Sequence, residues 1–293
     1  MHISEINIYP IKSLKGISLE TATVEERGLR HDRRWMLTDV DGKFMTQREY
    51  PRMATMSVWF EDAVGLGVAA DAFGDVFVPF EPDSEKRQQV TIWDSVCEGQ
   101  VYGAALNEWF SDVLGVNCQL VHMPDDSRRN VSERFSKDDD IVSFADGYPL
   151  LVIGEASLED LNARILEADS SYRNPLPMDR FRPNIVVAGS DAYAEDRWSR
   201  IRVGEAIFRA TKPCARCVIT TVEQSVGEFS GKEPLKTLAT YRKAKDIIPH
   251  RQEADGVGAN SVLFGQNLIA ETPGATIHVG DKVNVLETIT VRS

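Results

Sequence analysis

The run Ile3-Ser4-Glu5-Ile6-Asn7-Ile8-Tyr9-Pro10 decides how the chain is read. It is rich in β-branched residues with partial alternation. Pro10 has no amide hydrogen to extend a ladder, so the run predicts a strand that stops at the proline. The same signal continues outward. Residues 17–24 put Ile17, Leu19, Thr21 and Thr23 on one face. Arg34-Trp35-Met36-Leu37-Thr38 and residues 43–47 flank a turn centred on Asp41-Gly42, and this reads as a hairpin. More short strands are expected near 53–60, 64–70, 75–80 and 88–93. Strands at this spacing, separated by Gly, Asp and Pro, predict a small barrel or sandwich.

Past residue 100 the period changes. Leu106, Trp109, Phe110, Val113 and Leu114 fall at helical spacing, with Gly115 where a C-cap belongs. Residues 118–123 read as a strand. Residues 124–140 are rich in Asp, Ser, Arg and Lys and poor in aliphatics, so they read as an exposed loop or linker. Ser157, with Asp160 three residues on and Leu158, Leu161 and Ile165 on one face, predicts a helix opened by a capping box. Strands are expected at 150–153, 184–187, 200–203, 206–210 and 218–222, and a helix at 235–242. Residues 276–279 and 282–289 read as a hairpin about Gly280-Asp281. The expected fold is mostly β with several helices (α+β), in two lobes.

Composition narrows the function. At 293 residues and 42% hydrophobic, the chain can bury a core, which excludes wholesale disorder. No apolar run approaches the ~18 residues of a membrane span. The start, Met1-His2-Ile3-Ser4-Glu5-Ile6, lacks the basic and apolar regions of a secretory signal. A net charge of −12 argues against a generic binder of nucleic acid polymers or of anionic membranes. Four cysteines (Cys97, Cys118, Cys214 and Cys217) are too few for a disulfide framework, so a reduced, cytoplasmic setting is expected.

Several stretches carry candidate chemistry. Lys212-Pro213-Cys214-Ala215-Arg216-Cys217 admits four readings: half a zinc site, a redox dithiol, two buried thiols, or one thiolate ligand to a soft transition metal. Lys212 and Arg216 beside the thiols favour the thiolate form. Lys12-Ser13-Leu14-Lys15-Gly16 offers an ammonium, a hydroxyl and a Gly-flexible loop that suit a phosphate without the full Walker spacing; a solvated turn is the alternative. Gly28-Leu29-Arg30-His31-Asp32-Arg33-Arg34-Trp35 sets Arg33 and Arg34 on opposite faces. One facing inward needs an anion or a carboxylate, whereas surface pairing with Asp32 needs neither. Arg48 and Arg52 sit close enough in sequence to join the patch. Arg180-Phe181-Arg182-Pro183-Asn184 places a guanidinium and a carboxamide at a strand mouth, a clamp for a heterocycle or phosphate. Asp146-Gly147 is either an acid–base residue or an ordinary turn.

Taken in order, Ile8-Tyr9-Pro10-Ile11-Lys12-Ser13-Leu14-Lys15-Gly16, Asp32-Arg33-Arg34-Trp35, Phe181-Arg182-Pro183-Asn184 and Cys214-Ala215-Arg216-Cys217-Val218-Ile219-Thr220-Thr221-Val222 resemble the MOSC family. Within it the chain is similar to the mitochondrial amidoxime-reducing components and their bacterial counterparts, from about residue 1 to 290. The resemblance implies an N-terminal MOSC β-barrel lobe (1–123), a polar linker (124–140) and a MOSC β-barrel lobe (141–293). It implies a molybdenum–pterin cofactor (molybdopterin) between the lobes. On this basis Cys217 is the thiolate on molybdenum and Cys214 is nearby without ligating. Lys12, Ser13 and Arg33 hold the pterin phosphate and adjoining groups, Arg182 and Asn184 the pterin end, and Arg216 flanks the metal. Asp146 faces the metal as the second catalytic residue.

Two departures stand out. Ala215 sits where some relatives carry Ser, and Gly147-Tyr148 replaces a small hydroxyl-bearing pair. No cysteine follows Cys217, so no built-in iron–sulfur cluster is expected. The implied activity is molybdenum-dependent N–O bond reduction of N-hydroxylated compounds: amidoximes, hydroxylamines or hydroxylated nucleobases. Two electrons would come from a separate carrier (a ferredoxin, flavodoxin or reductase), and two protons would complete water. Arg128-Arg129 and Arg134 are candidates for docking that carrier. The alternative is a cofactor-binding or sulfur-carrying module without reductase activity.

Overall fold

The computed structural model describes residues 1–137, 140–172, 174–250 and 255–289. Positions 138 and 139 of the polar stretch, and the last four of the second lobe, lie outside the described residues. The structure is mostly β, with four α-helices among the described residues.

The opening run does form a strand, His2–Ile8, but it is built into the sheet of the second half of the chain. That sheet has eight strands, in the order Ile17–Leu19, His2–Ile8, Ile185–Ala188, Leu150–Gly154, Leu263–Ala270, Ala206–Ala215, Trp198–Val203 and Val283–Thr288. His2–Ile8 runs antiparallel to Ile185–Ala188, with Ile6 opposite Ile185. Ile185–Ala188 is parallel to Leu150–Gly154, so the connection between them must cross over the sheet. The helix Glu155–Ala168 supplies that crossover. Its buried Leu158, Leu161 and Ile165 pack on Leu151, Ile153 and Phe264 of the sheet. The other face buries Ile3, Ile6 and Ile8 with Val152, Phe208 and Leu268.

The remainder of the first half carries an antiparallel sheet of Trp35–Thr38, Gln119–His122, Ser95–Val101 and Arg87–Ile92, and a meander of Ser57–Glu61, Gly65–Ala70 and Gly74–Pro79. The helix Ala104–Leu114 closes their core with Phe110 and Val113, and ends at left-handed Gly115 as its stripe predicts.

Five expectations are corrected. Residues 17–24 are two strands, Ile17–Leu19 and Thr21–Glu25, in different sheets, because the chain bends between them to leave the large sheet. Residues 43–47 form no strand and make two isolated bridges, Phe44 to Thr38 and Lys43 to Thr91. Residues 218–222 are mostly a 3-10 turn, Val218–Thr221, in which the Thr220 hydroxyl bonds back to the Cys217 carbonyl. Such local bonding by threonine competes with a ladder. Gly280-Asp281 does not close a hairpin: Thr276–His278 pairs with Thr21–Glu25, and Val283–Thr288 with Trp198–Val203. Nor does Ser157 cap its helix. Gly154 is the N-cap, and the buried Ser157 hydroxyl donates to Glu195.

Gly265 shows how closely the central strands meet. Its φ is +80°, and a Cβ there would lie 2.7 Å from Ile153 Cγ1 and 3.0 Å from the Val152 carbonyl oxygen. Gly265→Ala is expected to lower stability by about 1–3 kcal/mol, the usual range for a forced left-handed residue. A lowered urea midpoint checks it, and an unchanged midpoint counts against this account.

Candidate functional site

The strand pairing of Ile6 with Ile185 decides what meets at the strand ends. The chain leaves His2–Ile8 through Tyr9 and Pro10 to Lys12 and Ser13, while the segment entering Ile185–Ala188 carries Arg182 and Asn184. Arg33, Arg48, Asp146 and the Cys214–Cys217 loop converge on the same place. All eight site residues expected from the sequence (Lys12, Ser13, Arg33, Asp146, Arg182, Asn184, Arg216 and Cys217) line one cleft. Its enclosed part is about 180 Å³. That is below the ~300–1,000 Å³ of a typical ligand pocket, so a larger ligand would also fill the open mouth.

The cleft is strongly cationic. Lys12, Arg33, Arg48, Arg180, Arg182 and Arg216 face a single lining carboxylate, Asp146. Lys12 is buried, and its Nζ donates to the Phe144 carbonyl at 2.8 Å and to Asp146 Oδ1 at 2.5 Å. Burial pushes the Lys12 ammonium down to about 8, although Asp146 opposes the shift. Burial alone would raise the Asp146 carboxyl. Lys12, with Arg48 and Arg33, overrides it and holds the carboxyl well below the usual carboxylate range.

Asp32 is buried, so its pairing with Arg33 at 2.7 Å is an interior contact and not a surface one. Asp32 also accepts from the Tyr9 amide at 2.8 Å. Arg33 donates to Asn184 Oδ1 at 3.0 Å and to the Arg182 carbonyl at 3.2 Å. Asn184 Oδ1 accepts from the Leu151 amide too, and Nδ2 donates to the Asn7 carbonyl. The fully buried Asn184 carboxamide is thus committed inside the protein and positions Arg33. Both Arg33 and Arg182 lie over the Tyr9 ring, at 4.5 and 4.1 Å. Ser13, Arg33 and Arg182 all have positive φ, at 70°, 49° and 55°. Left-handed non-glycine residues concentrated in one cleft are typical of ligand clamps.

The two thiols differ in surroundings. Cys214 Sγ accepts from Arg216 Nη1 at 3.1 Å, and Arg216 also bonds the Phe181 carbonyl. Cys217 Sγ accepts from Arg48 Nη2 at 3.1 Å, and the same nitrogen is 3.7 Å from Asp146 Oδ2. Both cysteines are free and half-buried. Among the described residues no group of three His, Cys, Asp or Glu could hold a metal, so the zinc half-site finds no second half.

Sequence reasoning misplaced or missed several residues. Arg48 joins the site, but Arg52 is exposed on the neighbouring turn and does not line the cleft. Arg129 is no docking residue. It is buried and donates to the carbonyls of Ser143, Ala145 and Asp146 at 2.6–2.8 Å, clamping the loop that carries Asp146. A polar run looks exposed in composition, yet one long side chain can turn inward to satisfy carbonyls. Gln47 and Gln224 form a buried reciprocal amide pair, and Gln47 also donates to the Ser13 carbonyl at 2.7 Å. No sequence signal marks that pair, because its members lie 177 positions apart.

Comparison with known proteins agrees with this architecture. Residues 1–117 match the MOSC N-terminal beta barrel domain and residues 139–284 the MOSC domain. The chain therefore belongs to the MOSC family. It is 35% identical to mitochondrial amidoxime-reducing component 1 of Mus musculus and 34% to that of Homo sapiens, over 97% of this chain and 82% of each relative. It is 32% identical to molybdenum cofactor sulfurase of Oryza sativa over 85% of this chain but 32% of that protein.

The Lys12–Asp146 pair gives a pH prediction. Asp146 titrates below its ordinary 3.8 in the folded state, so its contribution is complete above about pH 5 and is lost as the pH falls through the folded value. Asp146→Asn is expected to flatten this acid limb and push Lys12 below about 8. Urea unfolding across a pH series reads the first effect, and parallel acid limbs for the two proteins would refute it.

Proposed function

We propose that the chain is a molybdenum-cofactor-dependent reductase of N-hydroxylated compounds, supplied with electrons by a separate carrier such as a ferredoxin, flavodoxin or reductase. The observation that carries this reading is the cleft itself: six cations against one carboxylate, with the Cys217 thiol 3.1 Å from Arg48. Arg33 pairs with Asp32 and Arg180 with Glu223 behind the cleft, and Lys12 and Arg48 share Asp146, so the cost that a phosphate-bearing, sulfur-rich anion offsets lies at Arg182 and Arg216. Nitrogens Arg48 Nη1, Arg180 Nε, Arg182 Nη2 and Arg216 Nε are buried without a hydrogen-bond partner, which also fits an anionic group. The donor set thus suits a molybdenum–pterin cofactor, which when bound supplies two-electron redox chemistry at a soft metal.

In this reading Cys217 gives the thiolate ligand, and Arg48 holds its sulfur in place. Lys12, Ser13 and Arg33 bind the phosphate end. Arg182 contacts the pterin end, with Asn184 acting through Arg33. Arg216 flanks the loop and donates to Cys214, which lies nearby without ligating. Asp146, held ionised by Lys12, fixes the ammonium at the cleft mouth, and Lys12, at about 8, is the group able to hold and deliver a proton near neutral pH.

The test is purification from a molybdenum-replete host, with metal analysis, pterin fluorescence after denaturation, and benzamidoxime reduction by an artificial donor. Cys217→Ser is expected to abolish turnover, and Cys214→Ser to spare most of it. Loss of comparable size in both variants contradicts the ligand assignment. Bound molybdenum with no turnover favours the cofactor-binding or sulfur-carrying alternative, to which the sulfurase relative belongs by name.

A further inference from the structure

Beside the cleft, and sharing Thr46 and Arg48 with it, lies a second hollow of about 300 Å³. Part of its wall is the tip of the hairpin between Arg87–Ile92 and Ser95–Val101, whose loop is the two residues Trp93 and Asp94. Two-residue hairpin loops favour Gly, Asn or Asp where φ is positive. Here that position, at 55°, holds Trp93, and the residue is 48% exposed. A bulky side chain kept in the left-handed region on a solvent-facing tip is strain that core packing does not demand.

The indole reaches the site. The Arg48 guanidinium lies over its ring at 4.6 Å, and Phe44 meets it edge-on with 5.0 Å between centroids. Arg48 then donates to Cys217 Sγ at 3.1 Å, so one side chain separates the indole from the thiol. The charged lining is balanced, Lys43 and Arg48 against Glu49 and Asp94. The hollow therefore has no net preference for an ion, and its aromatic surface suits a flat ring.

We infer that this hollow is the subsite for the ring of a neutral, planar aromatic or heteroaromatic substrate, seated against Trp93 and Phe44 with its N–O group toward Cys217. The inference rests on the reductase reading above and names the substrate class of that site.

The experiment compares the KM of the holoenzyme for benzamidoxime with that for N-methylhydroxylamine, which has no ring. Trp93→Ala is expected to raise the benzamidoxime KM about two- to tenfold relative to the ringless substrate, the range for one lost aromatic contact. Trp93→Phe, which keeps a ring, should restore most of it. An equal change for both substrates, or none, overturns the subsite. A second readout needs no turnover. Benzamidoxime titrated into oxidised holoenzyme without donor should change the indole emission saturably, and Trp93→Phe should remove that change. If the wild-type holoenzyme reduces neither compound, the reductase reading fails. The emission titration then decides the subsite alone, and identical responses of wild type and Trp93→Phe overturn it.

Discussion

The ladder between His2–Ile8 and Ile185–Ala188 holds the site together. It joins the first strand of the chain to a strand more than 170 residues later, with Ile3, Ile6 and Ile8 buried on the same core as Ile185 and Val187. A register slip of one residue would turn Ile6 out of that core, so burial locks the pairing. Once it is locked, the segment after Ile8 and the segment before Ile185 must emerge side by side. Tyr9 confirms this closeness by donating its hydroxyl to the Pro183 carbonyl at 3.1 Å. Lys12 and Arg33 from one side, and Arg182 and Asn184 from the other, share one cleft for that reason.

A protein of net charge −12 thus encloses a cleft lined by six cations. Their mutual repulsion is met piecemeal. Asp32 answers Arg33, Glu223 answers Arg180, Asp146 answers Lys12, and the Tyr9 ring lies beneath two guanidiniums. Arg182 and Arg216 are left with carbonyl, thiol or ring contacts only. Low-dielectric walls make such a surplus attractive to an anion well beyond what exposed side chains achieve. The left-handed backbone at Ser13, Arg33 and Arg182 belongs to the same arrangement, since strain of this kind persists only where surrounding contacts over-determine it.

Positioning falls largely to residues that do not face a ligand. Arg129 holds three carbonyls of the Asp146 loop, those of Ser143, Ala145 and Asp146, Asn184 spends its carboxamide on Arg33 and the backbone, and Gln47 with Gln224 ties the Ser13 turn to the segment after the cysteine loop. Each removes freedom from a cationic side chain or its loop before any ligand arrives, which lowers the entropy cost of binding.

Local sequence was enough for much of this. Alternation and Pro10 marked the first strand, apolar spacing with Gly115 marked the helix Ala104–Leu114, and the ordered motifs around Lys12, Arg33, Arg182 and Cys217 marked the family and residues that line one cleft. These signals are short-range: a strand face, a cap or a motif needs only a few neighbouring residues to be recognised. Sequence alone did not show that residues 17–24 divide between two sheets, that Val218–Thr221 curls into a turn, that Arg129 points inward, or that Trp93 stands beside Arg48. Each depends on what a segment meets across long sequence separations. β-branched residues accept a strand or a turn, and arginine accepts solvent or a buried carbonyl, so the partner that tertiary packing delivers makes the choice.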